Sequence, residues 1–255
     1  MHKIKLHPKY KHLEESILAY LDQFDASGTY VLKGSRNSIK KVELEGVELN
    51  VKQFKKPNLF NAFVYKYIRK SKAKRSFEYA NLLLEKDILT PFPIAYFDRT
   101  NALGLQDGYY VSLQVNYDFD FRVLIHQPKF PNRNTILEQF TAFTFKLHEN
   151  NINFLDHSPG NTLIVDKGEG NYDFYLIDLN RMTFESLDFN KRMHNFRRLW
   201  LSKTMIKIMS ATYAKLYDKT YKETHALMLK HSRDFQCKVD AKKLRRSGRK
   251  MKFGS

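Results

Sequence analysis

Three polar residues in the second half of the chain have the types and the spacing that phosphoryl transfer needs. Asp156 precedes Asn161 by five residues across a turn that contains Pro and Gly, and Asp178 lies beyond a hairpin predicted between 163 and 177. In a site that uses ATP, one Asp accepts the proton of the attacking hydroxyl, while the Asn and the second Asp bind Mg²⁺ at the phosphates. An ordinary turn is the alternative interpretation, because Asp, Asn, Pro and Gly are the usual turn residues.

The same chemistry needs a lysine for the phosphates and a glutamate on the next helix to hold that lysine. Lys52 lies at the end of the third predicted strand, and Glu78 lies in the helix that follows. Glu85 is the alternative to Glu78, because a helix predicted from sequence can shift by a few residues. Gly34 marks the turn of the first hairpin, where a phosphate-binding loop would lie, but the stretch around it is poor in glycine and an ordinary turn is the alternative.

The elements that would position Lys52 and Glu78 are five short strands and one main helix. Alternating apolar residues and turn signals predict the strands at 30–33, 39–44, 47–52, 94–97 and 109–115. The main helix is predicted from Arg75 to about Asp87, where a Pro-rich segment ends it. A further amphipathic helix is predicted over residues 9–24. This order predicts a small antiparallel sheet domain in the first part of the chain.

The chain becomes predominantly helical after Asn116. Thr135 and Glu138 form a predicted capping box at the start of a helix that leads toward the central turn, and two more helices are predicted at 188–209 and 212–230. We therefore predict an α+β fold with two lobes, like that of the protein kinases. The predicted boundaries are 1–116 for the sheet lobe, 117–237 for the helical lobe and 238–255 for a basic tail.

The composition is that of a globular protein without a disulfide framework. Hydrophobic residues make up 42% of the 255 residues and charged residues 28%, and Cys237 is the single cysteine. The first twelve residues contain no apolar segment typical of a secretory signal, and no apolar stretch reaches the length of a membrane span. These features predict a reducing, cytoplasmic location.

The net charge of +17 favours a polyanionic partner, such as an anionic membrane surface, a phosphorylated substrate or nucleic acid. Nine basic residues and no acidic residue lie between Val51 and Glu78, and bulky side chains are interleaved with them. This one-signed stretch predicts a surface that binds an anion, with a merely soluble basic helix as the alternative. The basic tail is of a type that is usually disordered or binds anionic lipid.

Four segments of the chain carry a resemblance to a known family. They are I-R-K-S-K-A-K-R-S-F-E-Y-A at 68–80, T-P-F-P-I-A at 90–95, D-H-S-P-G-N at 156–161 and L-I-D-L-N-R at 176–181. With these motifs the chain resembles the lipopolysaccharide core kinases of the Kdo/heptose (WaaP-like) family, which are relatives of the eukaryotic-type kinases. The resemblance extends from about Tyr30 to about Leu216.

The resemblance implies a role for each candidate residue. Lys52 is expected to bind the nucleotide with Glu78 as its ion-pair partner, Asp156 is expected to be the catalytic base, and Asn161 and Asp178 are expected to bind Mg²⁺. The implied reaction transfers phosphate from ATP to a sugar hydroxyl, of Kdo or heptose, in the inner core of lipopolysaccharide. The implied location is cytoplasmic and peripheral at the inner membrane, in contact with an anionic leaflet.

The sequence departs from the protein-kinase pattern in ways that favour a glycolipid or small-molecule acceptor. Phe154-Leu155 replaces the usual His-Arg before the catalytic Asp, and Leu179-Asn180 follows Asp178 where protein kinases have Phe-Gly. No later segment resembles an activation loop that ends in Ala-Pro-Glu. The alternatives are a kinase that acts on protein or on an antibiotic sugar, or an inactive kinase fold that binds nucleic acid. The presence of all five catalytic-type residues disfavours the inactive module, and the sequence leaves the oligomeric state open.

Overall fold

The computed structural model describes residues 2–34, 37–246 and 248. It contains two compact units. Unit 1 comprises Met1–Asn116 with Asp178–Asn180, and unit 2 comprises Tyr117–Ile177 with Arg181–Ser255. In the part of the chain that is described, no helix has both the length and the apolar character needed to cross a membrane.

Unit 1 is built on a six-stranded antiparallel sheet with the order β1-β5-β6-β4-β3-β2. The strands are β1 (His2–Leu6), β2 (Thr29–Lys33), β3 (Asn37–Leu44), β4 (Val47–Phe54), β5 (Pro93–Asn101) and β6 (Gly104–Leu113). The five predicted strands are all present, and the predicted α+β class with an antiparallel sheet in the first part of the chain is confirmed.

The sixth strand, β1, was not predicted from the sequence. Its five residues pair with β5, from His2 opposite Arg99 to Leu6 opposite Ala95. The His2 ring stacks on Phe97 at a centroid distance of 5.3 Å. A five-residue strand that alternates basic and apolar residues gives a weak local signal, and this one is specified by its pairing with β5.

Helices cover both faces of this sheet. A 3-10 turn (Pro8–Leu13) and helix α1 (Glu14–Asp22) replace the single helix predicted at 9–24, and they pack with Leu49, Val51, Val111 and other buried residues. Helix α3 (Lys72–Leu84) packs on the opposite face, where Phe77 contacts Phe54 and Tyr96. Adjacent residues of a strand point to opposite faces, so Val51 lies on the α1 side and Lys52 on the α3 side.

Between β4 and α3 the chain forms helix α2 (Leu59–Tyr67), which lies in the basic stretch. The side chain of Asn58 accepts a hydrogen bond from the Asn61 backbone N–H and so caps the first turn. Helix α3 begins three residues earlier than predicted, because Ser71 caps it by accepting a hydrogen bond from Lys74 N–H at 3.0 Å.

Unit 2 is mainly helical and contains two small sheets. Its helices are α4 (Arg122–His126), α5 (Arg133–Glu149), α6 (Phe189–Asn195), α7 (Lys203–Leu216) and α8 (Tyr221–Arg246). Its strands are β7 (Phe119–Asp120), β8 (Ile152–Phe154), β9 (Thr162–Asp166), β10 (Tyr172–Leu176) and β11 (Met182–Phe184). The predicted hairpin is confirmed as the antiparallel pair β9–β10, and the second pair is β8–β11.

Three predictions about the helices of unit 2 were wrong. The helix predicted at 188–209 is broken, because Trp200 adopts a left-handed conformation (φ 56°) and Ser202 caps a new helix, α7. The helix predicted at 212–230 is likewise broken after Leu216, and α8 then continues through the first part of the predicted tail to Arg246. The predicted cap Thr135 lies inside α5, which begins at Arg133. The rest of the tail, apart from Gly248, lies outside the described residues.

Candidate active site

Lys52 and Asp178 are 126 residues apart in the chain and meet within unit 1. Lys52 Nζ lies 2.7 Å from Asp178 Oδ1. The side chain of Lys52 is only 11% exposed, so this ion pair is less screened by water than a surface pair. The structure therefore brings together the lysine predicted to bind the nucleotide and one of the residues predicted to bind the metal.

The short segment that carries Asp178 is held by side chains of unit 1. Asp178 adopts a left-handed backbone conformation (φ 58°), which Asp tolerates better than most residues. The Asn180 side chain donates a hydrogen bond to Asp178 Oδ1. Arg75 on α3 is buried, and its Nη1 donates to the Asn180 carbonyl at 2.8 Å. Arg75 thus ties the backbone beside Asp178 to the main helix of the sheet unit.

Glu78 does not pair with Lys52, contrary to the expected ion pair. Among the described residues it pairs with Lys70 at 2.8 Å and, one helical turn away, with Lys74 at 3.9 Å. Its competing partners come from the basic stretch, while Lys52 is already matched by Asp178. The alternative, Glu85, is the exposed C-cap residue of α3.

Gly34 lies at the end of β2, and its N–H donates to the Asn37 carbonyl at 3.0 Å. A Cβ added at Gly34 would lie 3.0 Å from the same oxygen, a tight contact that Gly avoids. Of the other residues of the predicted turn, Asn37 and Ser38 belong to β3, and Ser35 and Arg36 lie outside the described residues. A contact between this turn and nucleotide phosphates stays a prediction.

Asp156 is held by two arginines within unit 2. Arg198 Nη2 lies 2.9 Å from Asp156 Oδ1, and Arg181 Nη1 lies 3.5 Å from Oδ2. The Asp156 side chain is 17% exposed. The guanidinium of Arg198 also lies over the ring of Phe235 at 5.5 Å, which restricts its position. Both carboxylate oxygens of the predicted base are therefore oriented by positive charges.

Asn161 is fixed to the same turn as Asp156. Its Nδ2 donates to the Asp156 carbonyl at 2.8 Å, and its own carbonyl accepts the Ile177 N–H at 3.0 Å. In the described part of the chain no donor bonds to Asn161 Oδ1. The amide is thus oriented by its nitrogen, which leaves free the oxygen that a hard cation would use.

The turn around Asp156 is anchored to the core by His157, which is fully buried. Asn195 uses its amide nitrogen to donate to Asn153 Oδ1 and to the Phe154 carbonyl, so its Oδ1 accepts a hydrogen bond from His157 Nδ1–H at 2.9 Å. Burial lowers the pKa of His157 to about 4, and the ring is neutral at physiological pH.

Sequence reasoning did not select Arg75, Arg181, Arg198 or Asn195 as parts of the site. Arg75 and Arg181 could have been selected, because they lie in the quoted motifs at 68–80 and 176–181. Arg198 and Asn195 carry no local signal. Arg198 contacts a residue 42 positions earlier in the chain, and only the tertiary fold brings the two together.

The donor set that was predicted for Mg²⁺ fits that ion chemically. Among the described residues, no group of three or more His, Cys, Asp or Glu side chains could hold a metal, so no all-protein metal cage is present there. Mg²⁺ does not need one, because it is usually bound by one or two protein oxygens together with substrate phosphates and water. Among the residues that the structure describes, partners bond to Asp178 at Oδ1 alone, and none bonds to the amide oxygen of Asn161.

An antiparallel sheet unit in which a half-buried lysine pairs with a helix-anchored Asp, followed by a helical unit with an Asp-x-x-x-x-Asn turn, defines a kinase-like protein. The comparisons agree with this class. The model of the lipopolysaccharide kinase (Kdo/WaaP) family matches residues 32–221. The chain therefore belongs to this family, and membership implies kinase activity and the use of ATP.

One solved structure illustrates the likeness of the fold. It is described as WaaP in complex with acyl carrier protein, and it matches with a TM-score of 0.65 over 92% of this chain and 98% of that chain. The sequences are only 15% identical, so this likeness shows the fold alone. No protein of curated function matches the sequence.

Proposed function

We propose that the protein transfers phosphate from ATP to a sugar hydroxyl, of Kdo or heptose, in the inner core of lipopolysaccharide. The observation that carries this proposal is the ion pair of Lys52 with Asp178 in unit 1. A kinase needs a lysine for the nucleotide phosphates and an Asp for the metal, and these two residues meet although 126 positions separate them in the chain.

Bound Mg²⁺–ATP would supply the phosphoryl group and would neutralise the charge that develops during transfer. In this proposal Lys52 binds the nucleotide phosphates, and Asp178 and Asn161 provide oxygen ligands for the metal. Lysine suits this role because its ammonium is a compact point charge on a flexible stem, which can exchange a carboxylate for a phosphate oxygen. Arg75 and Asn180 keep the Asp178 segment in place during that exchange.

Asp156 is the proposed general base. It accepts the proton of the acceptor hydroxyl and orients that hydroxyl for attack. Arg181 and Arg198 are proposed as positioning residues, because each holds one oxygen of the Asp156 carboxylate. Asn161 contributes a second restraint through its hydrogen bond to the Asp156 carbonyl.

We further propose a peripheral location at the cytoplasmic face of the inner membrane. The net charge of +17 favours an anionic surface, and a lipid-linked sugar acceptor would lie at such a surface. The solved relative was found with acyl carrier protein. An acyl carrier protein is accordingly a candidate partner to be tested with this chain by size-exclusion chromatography of the mixed proteins.

The proposal is tested by following labelled phosphate from ATP into purified lipopolysaccharide core acceptors. We expect label in the glycolipid with the parent protein, and a loss of about 10²–10⁴-fold in rate with Asp156→Asn. The Mg²⁺–ATP-dependent rise in melting temperature should persist in that variant, because the base is not a ligand of the nucleotide. ATP binding without label in any core acceptor would reject the substrate and direct the search to proteins and soluble sugars.

A further inference from the structure

Helix α2 presents a row of large apolar side chains to solvent. Phe60 is 76% exposed, Ile68 73% and Leu59 68%, and Phe63 and Tyr67 are also exposed. Leu103, at the tip of the β5–β6 hairpin, is 66% exposed. Exposed apolar residues are normal when they are scattered, but a group of them on one element marks an interaction surface. We call these six residues the α2 face.

The orientation of α2 follows from a close approach of two backbones. Ala62 is buried, and a Cβ added at Gly104 would lie only 2.5 Å from the Ala62 carbonyl carbon and oxygen. Gly104 also has φ of +132°, a conformation that other residues rarely adopt. The backbone of the helix thus approaches the β5–β6 hairpin closely at Ala62. Tyr65 is half-buried, while Leu59, Phe60, Phe63 and Tyr67 remain exposed.

The exposed apolar residues of α2 form one stripe. At 100° per residue, Leu59, Phe60, Phe63 and Tyr67 fall within an arc of about 100°. The rings of Phe63 and Tyr67 are in contact, with centroids 4.8 Å apart. A helix of nine residues is about 13 Å long, which is too short to span a bilayer but suits a helix that lies in its surface.

Basic residues flank helix α2 on both sides in the sequence. Lys55 and Lys56 precede the helix, and Arg69 and Lys70 follow it, with no acidic residue in the sequence between Val51 and Glu78. Lys70 is matched by Glu78. Within the described residues, Lys55, Lys56 and Arg69 form no ion pair. A stripe of apolar and aromatic side chains flanked by unmatched positive charge is complementary to a bilayer that contains anionic lipid.

We propose that the α2 face docks on an anionic membrane surface, with Phe60 and Phe63 inserted among the lipid chains. Charge alone would attract the protein to the surface, and the apolar side chains would then hold it there by leaving water. The docking surface lies wholly within unit 1 and does not depend on which acceptor is phosphorylated.

The test is the binding of the full-length protein to vesicles of phosphatidylcholine with and without phosphatidylglycerol, followed by flotation. We expect Phe60→Ser with Phe63→Ser to weaken binding to the anionic vesicles at least about tenfold. The matched control is Leu216→Ser with Tyr221→Ser, which removes two exposed apolar side chains from unit 2 and should bind like the parent. Equal binding of the parent and the Phe60/Phe63 variant would overturn the proposal.

The contribution of charge is tested separately. Lys56→Gln with Arg69→Gln should weaken binding to anionic vesicles and make it less dependent on salt, because each neutralised charge removes about 1 kcal/mol of attraction, or roughly fivefold in affinity. Lys207→Gln with Lys215→Gln on α7 removes the same net charge elsewhere and is the control. Identical losses of vesicle affinity in the two double variants would show that the net charge acts without regard to its position, and would reject the proposed surface.

A third measurement distinguishes insertion from adsorption and does not require a destabilising change. Phe60→Trp should show a blue-shifted emission on anionic vesicles and quenching by brominated lipid chains, above the background of the single native residue Trp200. An unshifted spectrum in a vesicle-bound protein would reject insertion. Loss of binding to an acidic protein, with unchanged vesicle binding, in the Phe60/Phe63 variant would assign the surface to a protein partner and also overturn the proposal.

Discussion

The two units hold their candidate functional carboxylates in different ways. In unit 1, Asp178 is matched by one lysine and one amide, and its backbone is in a left-handed conformation. In unit 2, Asp156 is held at both oxygens by arginines. A lysine can release a carboxylate and bind a phosphate, whereas two planar guanidinium groups fix a carboxylate in one orientation. The difference matches the proposed roles, an exchangeable ligand for Asp178 and a fixed base for Asp156.

The sharpest test of this contrast is Asp178→Asn. Asn tolerates the left-handed conformation, so the substitution removes the charge without new backbone strain. We expect the rise in melting temperature with Mg²⁺–ATP to disappear and the phosphoryl-transfer rate to fall at least about a thousandfold. In Asp156→Asn the phosphoryl-transfer rate should fall, but the rise in melting temperature with Mg²⁺–ATP should remain. Retained nucleotide stabilisation in Asp178→Asn would break the assignment of Asp178 to the metal.

A smaller effect is expected when the orientation of Asp156 is loosened. Arg198→Gln removes the cation at Oδ1, and we expect kcat to fall about ten- to a hundredfold with little change in KM for ATP, because a misplaced base acts on the chemical step. Arg197→Gln is the matched control, since Arg197 is the preceding residue and bonds to His194 instead. Rescue by Arg198→Lys should be partial, because lysine cannot reproduce the planar geometry. Equal effects of Arg197→Gln and Arg198→Gln would indicate general destabilisation.

The buried titratable groups of the two units respond to pH in opposite directions. In unit 2, burial lowers the pKa of His148 to about 3 and that of His157 to about 4, from 6.5. Both rings are neutral in the folded protein, so folding stability is lost as the pH falls below 6.5 toward these values. In unit 1, burial raises the pKa of Asp98 from 3.8 to about 6. The loss of folding stability caused by ionising this buried carboxyl therefore grows as the pH rises through this range, and it is absent below 3.8.

The substitution Asp98→Asn tests this effect of Asp98 on stability. At about pH 8 it should raise the free energy of unfolding by roughly 1–2 kcal/mol, because it removes a charge that burial penalises. At about pH 4 the gain should vanish, since the native carboxyl is then largely protonated. Urea denaturation at both pH values measures the difference. A gain that is independent of pH would show that packing, and not the charge of Asp98, is responsible.

The smallest effect is expected from Glu78→Gln. Lys70 is 59% exposed, and such surface pairs contribute less than about 1 kcal/mol. We therefore expect nearly unchanged stability and a change in the Kd of Mg²⁺–ATP of less than about threefold. The measurement is a nucleotide titration of the variant beside the parent. A large loss of ATP affinity would show that Glu78 leaves Lys70 and pairs with Lys52 when the nucleotide binds.

Most of the sheet unit could be predicted from the sequence, because its strands and turns are signalled by residues that are neighbours in the chain. Alternation of apolar residues located the five strands, and the Gly-containing turns separated them. The same holds for the hairpin β9–β10 and for the turn from Asp156 to Asn161. The broken helices of unit 2 were missed, since the left-handed conformation of Trp200 is not signalled by a Gly or a Pro at that position.

By itself, then, the sequence determined the order of the candidate residues and the elements that carry them. Only the tertiary structure decided their partners: Asp178 for Lys52, the two lysines for Glu78, and two arginines for Asp156. It also decided that α2 approaches the β5–β6 hairpin at Ala62 and leaves four large apolar side chains of the helix exposed. Periodicity reports the conformation of neighbouring residues, whereas these contacts join residues up to 126 positions apart and depend on how whole elements pack.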